Sequence, residues 1–101
     1  MANQSESIIY DIIVLGGGPG GYVGAIRAAQ LGAKVALVEK DSLGGVCLNK
    51  GCIPTKAMIA SADAYDLALN RGSEFGIKVS GCALDYPKVI SRRESIVKQL
   101  V

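Results

Sequence analysis

The feature that most limits the fold of this 101-residue chain is a glycine loop, Gly16-Gly-Gly18-Pro-Gly-Gly21, set directly behind the run Tyr10-Asp-Ile-Ile-Val-Leu15. A β-branched run bounded by glycine reads as a buried parallel strand. Behind the loop, the alanine-rich stretch Tyr22 to Leu31 predicts a helix, with Gly32 at its C′ position. Lys34 to Val38 then predicts a second strand, ending at Glu39. Strand, turn, helix and strand fit within about 30 residues, the size of one βαβ unit. The two strands are expected to be parallel, joined by a right-handed crossover.

Gly16-x-Gly18-x-x-Gly21 at a strand-to-helix junction has a mechanical reading. Gly16 permits the tight turn out of the strand, and Gly18 lets backbone approach a pyrophosphate. Gly21 permits close packing of helix on strand, helped by the small Ala25. The helix N-terminus that follows offers free N–H groups and a partial positive charge. A flexible turn would explain the glycines alone. It would not explain Glu39, which falls 21 residues after Gly18 at the end of the second strand. There an acid accepts hydrogen bonds from both ribose hydroxyls and repels a 2′-phosphate. The competing reading of Glu39 is an exposed strand-end charge. The combination predicts an α/β, Rossmann-like fold with a parallel sheet and a βαβ start, holding FAD or NAD rather than NADP. The loop does not choose between those two.

Further on, residues 41–55 read as a loop. A helix is expected from Pro54, because Met58, Ala62, Tyr65 and Leu69 recur on one face. Asn70-Arg-Gly72 is expected to stop it, and Ile77 to Val79 to form a short strand. Asp85 is placed to cap a last helix with Pro87 in its first turn. That helix carries an apolar stripe at Val89/Ile90, Ile96/Val97 and Leu100/Val101. Arg92-Arg93 reads as its solvated face. The stripe runs to the last residue without a capping signal, which predicts that the chain ends inside a helix.

Composition sharpens this. Thirteen glycines and twelve alanines against five aromatic residues leave few bulky side chains for a core. Such a chain packs tightly through small residues or belongs to something larger. Eleven basic against nine acidic residues, with no basic run, give no case for nucleic acid or an anionic membrane. Residues 1–9 lack a basic n-region and read as a disordered start. No apolar run approaches a membrane span, so a soluble, cytoplasmic protein is expected. The absence of histidine excludes imidazole catalysis and imidazole metal sites within the chain.

Three cysteines remain. Cys82 reads as a small, partly buried thiol. Cys47 and Cys52, in Gly44-Gly-Val-Cys47-Leu-Asn-Lys-Gly-Cys52-Ile-Pro-Thr-Lys56, have several readings: unrelated thiols, part of a metal site, or a redox disulfide. A metal site is short of ligands. A disulfide needs a distorted backbone, since i and i+5 stand about 8–9 Å apart in a regular helix and a bridge spans less than about 7 Å. Gly51 permits such a distortion and Pro54 promotes it.

With the glycine loop and Glu39 upstream, this segment resembles the N-terminal FAD-binding region of the pyridine nucleotide–disulfide oxidoreductases. The likeness runs from about Tyr10 to the C-terminus and is densest over residues 11–60. Leu48-Asn49 and Ile53-Pro54-Thr55-Lys56 look more like the members that oxidise dihydrolipoamide than like the glutathione or mercuric reductases. Val46 stands where many relatives have threonine.

The resemblance implies a Cys47–Cys52 redox disulfide. Cys52 would lie against the flavin and Cys47 would exchange with the substrate dithiol. Lys56 would stand near the flavin edge, where an ammonium also favours a thiolate. Gly16, Gly18, Pro19, Gly20 and Gly21 would hold the pyrophosphate and Glu39 the adenosine ribose, while Lys40 and Gly44 through Cys47 would line the FAD. It further implies NAD as co-substrate, dihydrolipoamide or a lipoyl domain of a multienzyme complex as partner, and a homodimer. Residues 10–101 would be the N-terminal part of an FAD-binding domain. The NAD-binding and interface domains, the latter with a histidine base, would lie outside it. The alternatives are a related disulfide reductase and a non-catalytic dinucleotide-binding module.

Overall fold

A computed structural model describes residues 7–101. Residues 7–9 are exposed and carry no regular structure, while the expectation of disorder over residues 1–6 lies outside the described residues. The chain divides into two compact units, Met1–Gly45 and Val46–Val101.

The first unit is the βαβ start. Strands β1 (Ile12–Leu15) and β2 (Val35–Val38) pair in parallel, with Ile12 opposite Val35 and Leu15 opposite Val38. Asp11 ties the mouth of the pair: its N–H donates to the Lys34 carbonyl at 2.8 Å, and its carboxylate accepts from the Lys34 N–H at 2.7 Å. Helix α1 (Pro19–Gln30) packs on both strands. It starts three residues before the sequence reading placed it, because Pro19 at its first position is already fixed near helical φ. Leu31 caps its end and Gly32 follows.

One expectation fails here. Strand β1 is not buried: Ile13 is 61 % and Leu15 80 % exposed, while Val35 to Leu37 of β2 are half-buried. A two-stranded sheet has two open edges, and α1 covers only one face. Among the described residues, the buried apolar set is Ala25, Leu48 and Ala57, with no large side chain fully enclosed. Two of these three are alanines.

The second unit is helical. Helix α2 (Gly45–Lys50) begins at the last residue of the first unit and is followed by α3 (Cys52–Asp66). Residues 45–55 are therefore mostly helix rather than loop. The glycine, cysteine and proline content that reads as loop serves a break at one residue, Gly51. Leu48, 7 % exposed, anchors α2 and contributes about 2 kcal/mol by its burial. Asn70-Arg-Gly72 does not stop the helical path. A π-helical turn (Leu67–Arg71) and a 3-10 turn (Gly72–Phe75) prolong it to Gly76. Asn70 stays compatible with helix because its amide donates to the Asp66 carboxylate at 2.7 Å. Residues 77–79 form no strand, having no partner strand among the described residues.

Helix α4 (Tyr86–Leu100) starts as expected, the Asp85 carboxylate accepting from the Lys88 N–H at 3.1 Å. It packs on α3. Val89, Ile90, Ile96 and Val97 are half-buried, but so is Arg93, which sits three or four residues from each of them. Arg93 is thus not part of a solvated face, while Arg92 is exposed. Arg92 donates to the Ala57 carbonyl at 3.2 Å, and Arg93 reaches the Met58 sulfur at 3.9 Å. Long stems let guanidinium groups lie across a helix while the charge keeps partial access to water.

Candidate functional site

In the first unit the glycine loop turns out of β1 onto α1. The Gly16 N–H extends the sheet ladder to the Val38 carbonyl at 2.8 Å. Gly21 must be glycine because a Cβ there would run into the Gly16 carbonyl oxygen, a backbone atom that has nowhere to go. The sequence assigned Gly21 to close packing, and that is its place. Gly18 and Gly20 differ. A Cβ on either would meet nothing within 4 Å, and Gly18 caps α1 with an ordinary extended backbone (φ −75°, ψ −175°). Nothing in the described protein demands glycine at these two positions. The α1 N-terminus has no side-chain cap, and the N–H groups of Gly18 and Gly20 find no acceptor among the described residues. Open space beside unpaired donors at a helix N-terminus suits a phosphate group.

Glu39 follows β2 and points back at the loop. Its Oε2 accepts from the Gly17 N–H at 2.6 Å and its Oε1 from the Asp41 N–H at 3.2 Å. These bonds, that of Gly17 foremost, hold the carboxyl below its ordinary pKa, with Lys40 assisting through its backbone and its charge. Gly44 is buried and its N–H donates to the Gly17 carbonyl at 2.7 Å. Lys40 is exposed and Pro19 lies on the exposed start of α1. Gly17 was given no role of its own by the sequence reading, which assigned Gly16, Gly18, Pro19, Gly20 and Gly21 of the run. The signal was a glycine at a position the motif leaves open.

In the second unit Cys47 on α2 and Cys52 at the start of α3 form a disulfide with Cα atoms 4.7 Å apart. Gly51 makes this approach by leaving the helical region (φ −121°, ψ −107°), and the distortion expected from the sequence lies at that residue. Cys47 is half-buried and Cys52 exposed. Lys56 is exposed one turn after Cys52, on the same side of α3 by helical spacing. Val46 is 75 % exposed. Lys50 and Pro54, which flank Cys52 in sequence, line an open cavity of about 620 Å3 together with residues of α4. Cys82 is free and half-buried. Among the described residues no group of cysteine and acidic side chains could hold a metal ion, and no helix is long and apolar enough to cross a membrane.

A parallel βαβ start with a glycine loop, followed by a disulfide across five positions, defines a class. The family model described as pyridine nucleotide-disulphide oxidoreductase matches residues 10–100, and the chain belongs to that family. The relatives narrow it further. The chain is 54 % identical over 92 residues to the dihydrolipoyl dehydrogenase of Acholeplasma laidlawii, covering 90 % of this chain and 27 % of the relative. To that of Bacillus subtilis (strain 168) it is 53 % identical over 91 residues, covering 90 % and 19 %. The chain thus spans about a fifth to a quarter of these relatives. Among solved structures, a Cu(II) complex of the HOCl-induced flavoprotein disulfide reductase RclA from Escherichia coli superposes with a TM-score of 0.67. It is 28 % identical, over 93 % of this chain and 18 % of that one.

Proposed function

We propose that this chain is the FAD-binding and disulfide-bearing part of an enzyme that oxidises dihydrolipoamide and reduces NAD⁺. Residues 10–101 would be the N-terminal part of its FAD-binding domain. The observation that carries the reading is the pairing of two features in one chain: a Cys47–Cys52 disulfide and a glycine loop whose Gly18 and Gly20 face open space. The second feature is also the test of fit for the cofactor. A Cβ-free wall with unpaired N–H donors suits a pyrophosphate, and the Glu39 carboxylate suits a ribose diol.

Each residue then has a task. Gly18 and Gly20 donate to pyrophosphate oxygens, Gly21 brings α1 onto β1, and Glu39 accepts from the adenosine ribose. Gly16, Pro19, Lys40, Gly44, Gly45 and Val46 border the same ligand. Exchange begins when a substrate thiolate attacks the Cys47 sulfur. Its S–S bond to Cys52 breaks, and Cys52 leaves with the electron pair as a thiolate. The second substrate thiol, giving up its proton to a base outside this chain, attacks the mixed disulfide. The substrate leaves as a cyclic disulfide and Cys47 is released reduced. Substrate has lost two electrons and two protons, and the cysteine pair holds the electrons. The exposed Cys52 leaves its sulfur a face for the flavin to cover, and the Lys56 ammonium stands on that side of α3. FAD, when bound, supplies the two-electron chemistry that links the reduced cysteine pair to NAD⁺. The complete enzyme would work as a homodimer on a lipoyl group carried by a multienzyme complex.

The experiment is dihydrolipoamide-dependent NADH formation by the full-length protein. Turnover with bound flavin is expected. A flavin-free protein, or one that turns over glutathione disulfide in preference, would overturn the reading.

A further inference from the structure

Gly17 lies inside the glycine run at a position the pyrophosphate motif leaves open, and it is buried. Both its backbone polar groups are engaged. Its N–H donates to Glu39 Oε2 at 2.6 Å, and its carbonyl accepts from the Gly44 N–H at 2.7 Å. It therefore fastens the β1–α1 loop to the end of β2 and to the segment leading into α2.

The reason it is glycine is specific. A Cβ at Gly17 would stand 3.0 Å from Glu39 Oε2, 3.1 Å from Glu39 Cβ and 3.2 Å from Leu43 Cδ2. All three are side-chain atoms. A methyl group is accommodated by moving the carboxylate, not the backbone, which is the opposite of the situation at Gly21.

An ionised carboxylate has about four acceptor sites on its two oxygens. Gly17 occupies one on Oε2 and Asp41 one on Oε1; the Lys40 N–H favours the charged carboxyl more weakly and is not among its hydrogen-bond donors, so each oxygen keeps one site for a hydroxyl. Resting on the FAD reading above, we propose that Gly17 is a positioning residue that sets selectivity for an unmodified ribose. Its N–H fixes Glu39 so that the two remaining acceptor sites meet the 2′- and 3′-hydroxyls together. The Gly17–Glu39 bond persists in the complex. Glu39 without Gly17 is a charge at the right place with the wrong orientation.

The test uses full-length apoprotein titrated with FAD and with an FAD analogue lacking the adenosine 2′-hydroxyl. Wild type is expected to prefer FAD by roughly ten- to a hundredfold, the range for one hydrogen bond to a charged group. In Gly17→Ala, FAD loses its bonds from both hydroxyls and the analogue only that from its 3′-hydroxyl, so FAD affinity falls further than analogue affinity and the preference shrinks toward one. Equal weakening of both ligands, with the preference intact, would show a merely structural role and overturn the proposal. No binding of FAD by wild type would instead sink the function reading itself. If Gly17→Ala does not accumulate, hydrogen exchange at the Gly17 amide in the FAD-bound protein decides. Replacing Glu39 with alanine should speed exchange there at least tenfold and leave the Gly16 amide, bonded to the Val38 carbonyl, unchanged. Unaltered exchange at Gly17 would overturn the proposal.

Discussion

The two units solve the same problem, presenting chemistry on a chain with little core, by different means. Met1–Gly45 builds its site from backbone: unpaired N–H groups, a carbonyl that forbids a Cβ, and one carboxylate held by main-chain donors. Val46–Val101 builds its site from side chains, two sulfurs brought together by a break between α2 and α3. A backbone site is governed by sterics, so its glycines are replaceable only where space is empty or a side chain yields. A side-chain site is governed by reactivity, so its fold should survive loss of the reactive atoms. The units should therefore fail differently when mutated.

The largest effect belongs to the sulfurs. Cys47→Ser and Cys52→Ser in the full-length protein should each abolish dihydrolipoamide oxidation while flavin stays bound, and Cys82→Ser should leave turnover near wild type. Assays of turnover and flavin content check this. Loss of flavin from the two serine variants would erase the contrast between the units.

Next comes Gly21→Ala, whose methyl collides with the Gly16 carbonyl. Overpacking of this kind costs about 1–3 kcal/mol. Flavin retention and melting temperature should both drop. The same substitution at Gly20 should spare melting, because its added Cβ meets nothing within 4 Å beyond its chain neighbours and its own helix backbone, and still weaken FAD by occupying its space. A Gly20→Ala variant that binds FAD normally would remove the ligand from that face.

The acid dependence of the loop is smaller. Glu39 is held below its ordinary carboxylate pKa of 4.5 chiefly by the Gly17 N–H. A lowered folded-state pKa means a contribution fully present above the unfolded value and lost as pH falls through the folded one. Wild type should thus lose stability below about pH 4.5, and Glu39→Gln should flatten that part of the profile. Parallel profiles in acid melts would contradict the role of this bond. Smallest is Asp85→Ala, which removes the α4 cap and should lower stability by about 1 kcal/mol in a denaturant titration.

What could be read from the sequence follows the same division. The βαβ start was legible because Gly16 and Gly21 have steric meanings that hold without tertiary context, and the Asp85 cap was legible for the same reason; the steric meaning of Pro19 went unused, and the start of α1 was placed late. The cysteine segment was legible as chemistry but not as conformation. Its glycines and proline read as loop, although a single non-helical residue, Gly51, is enough to bring Cys47 to Cys52. Arg93 was misplaced because charge outweighed its position in the α4 stripe, where its stem packs and its guanidinium reaches Met58. The exposure of β1 was not legible, since strand composition reports what a face can bury and not what covers it. Gly17 was passed over because a motif names the positions that touch its ligand, not those that aim another residue.

Rapid mixing of the full-length flavoprotein with dihydrolipoamide in the absence of NAD⁺ and oxygen tests most directly whether the two sites form one electron route. The flavin of wild type should lose its oxidised absorbance or develop a long-wavelength band, and that of Cys47→Ser should do neither, while NADH still reduces both. Reduction of the Cys47→Ser flavin by dihydrolipoamide at the wild-type rate would contradict it.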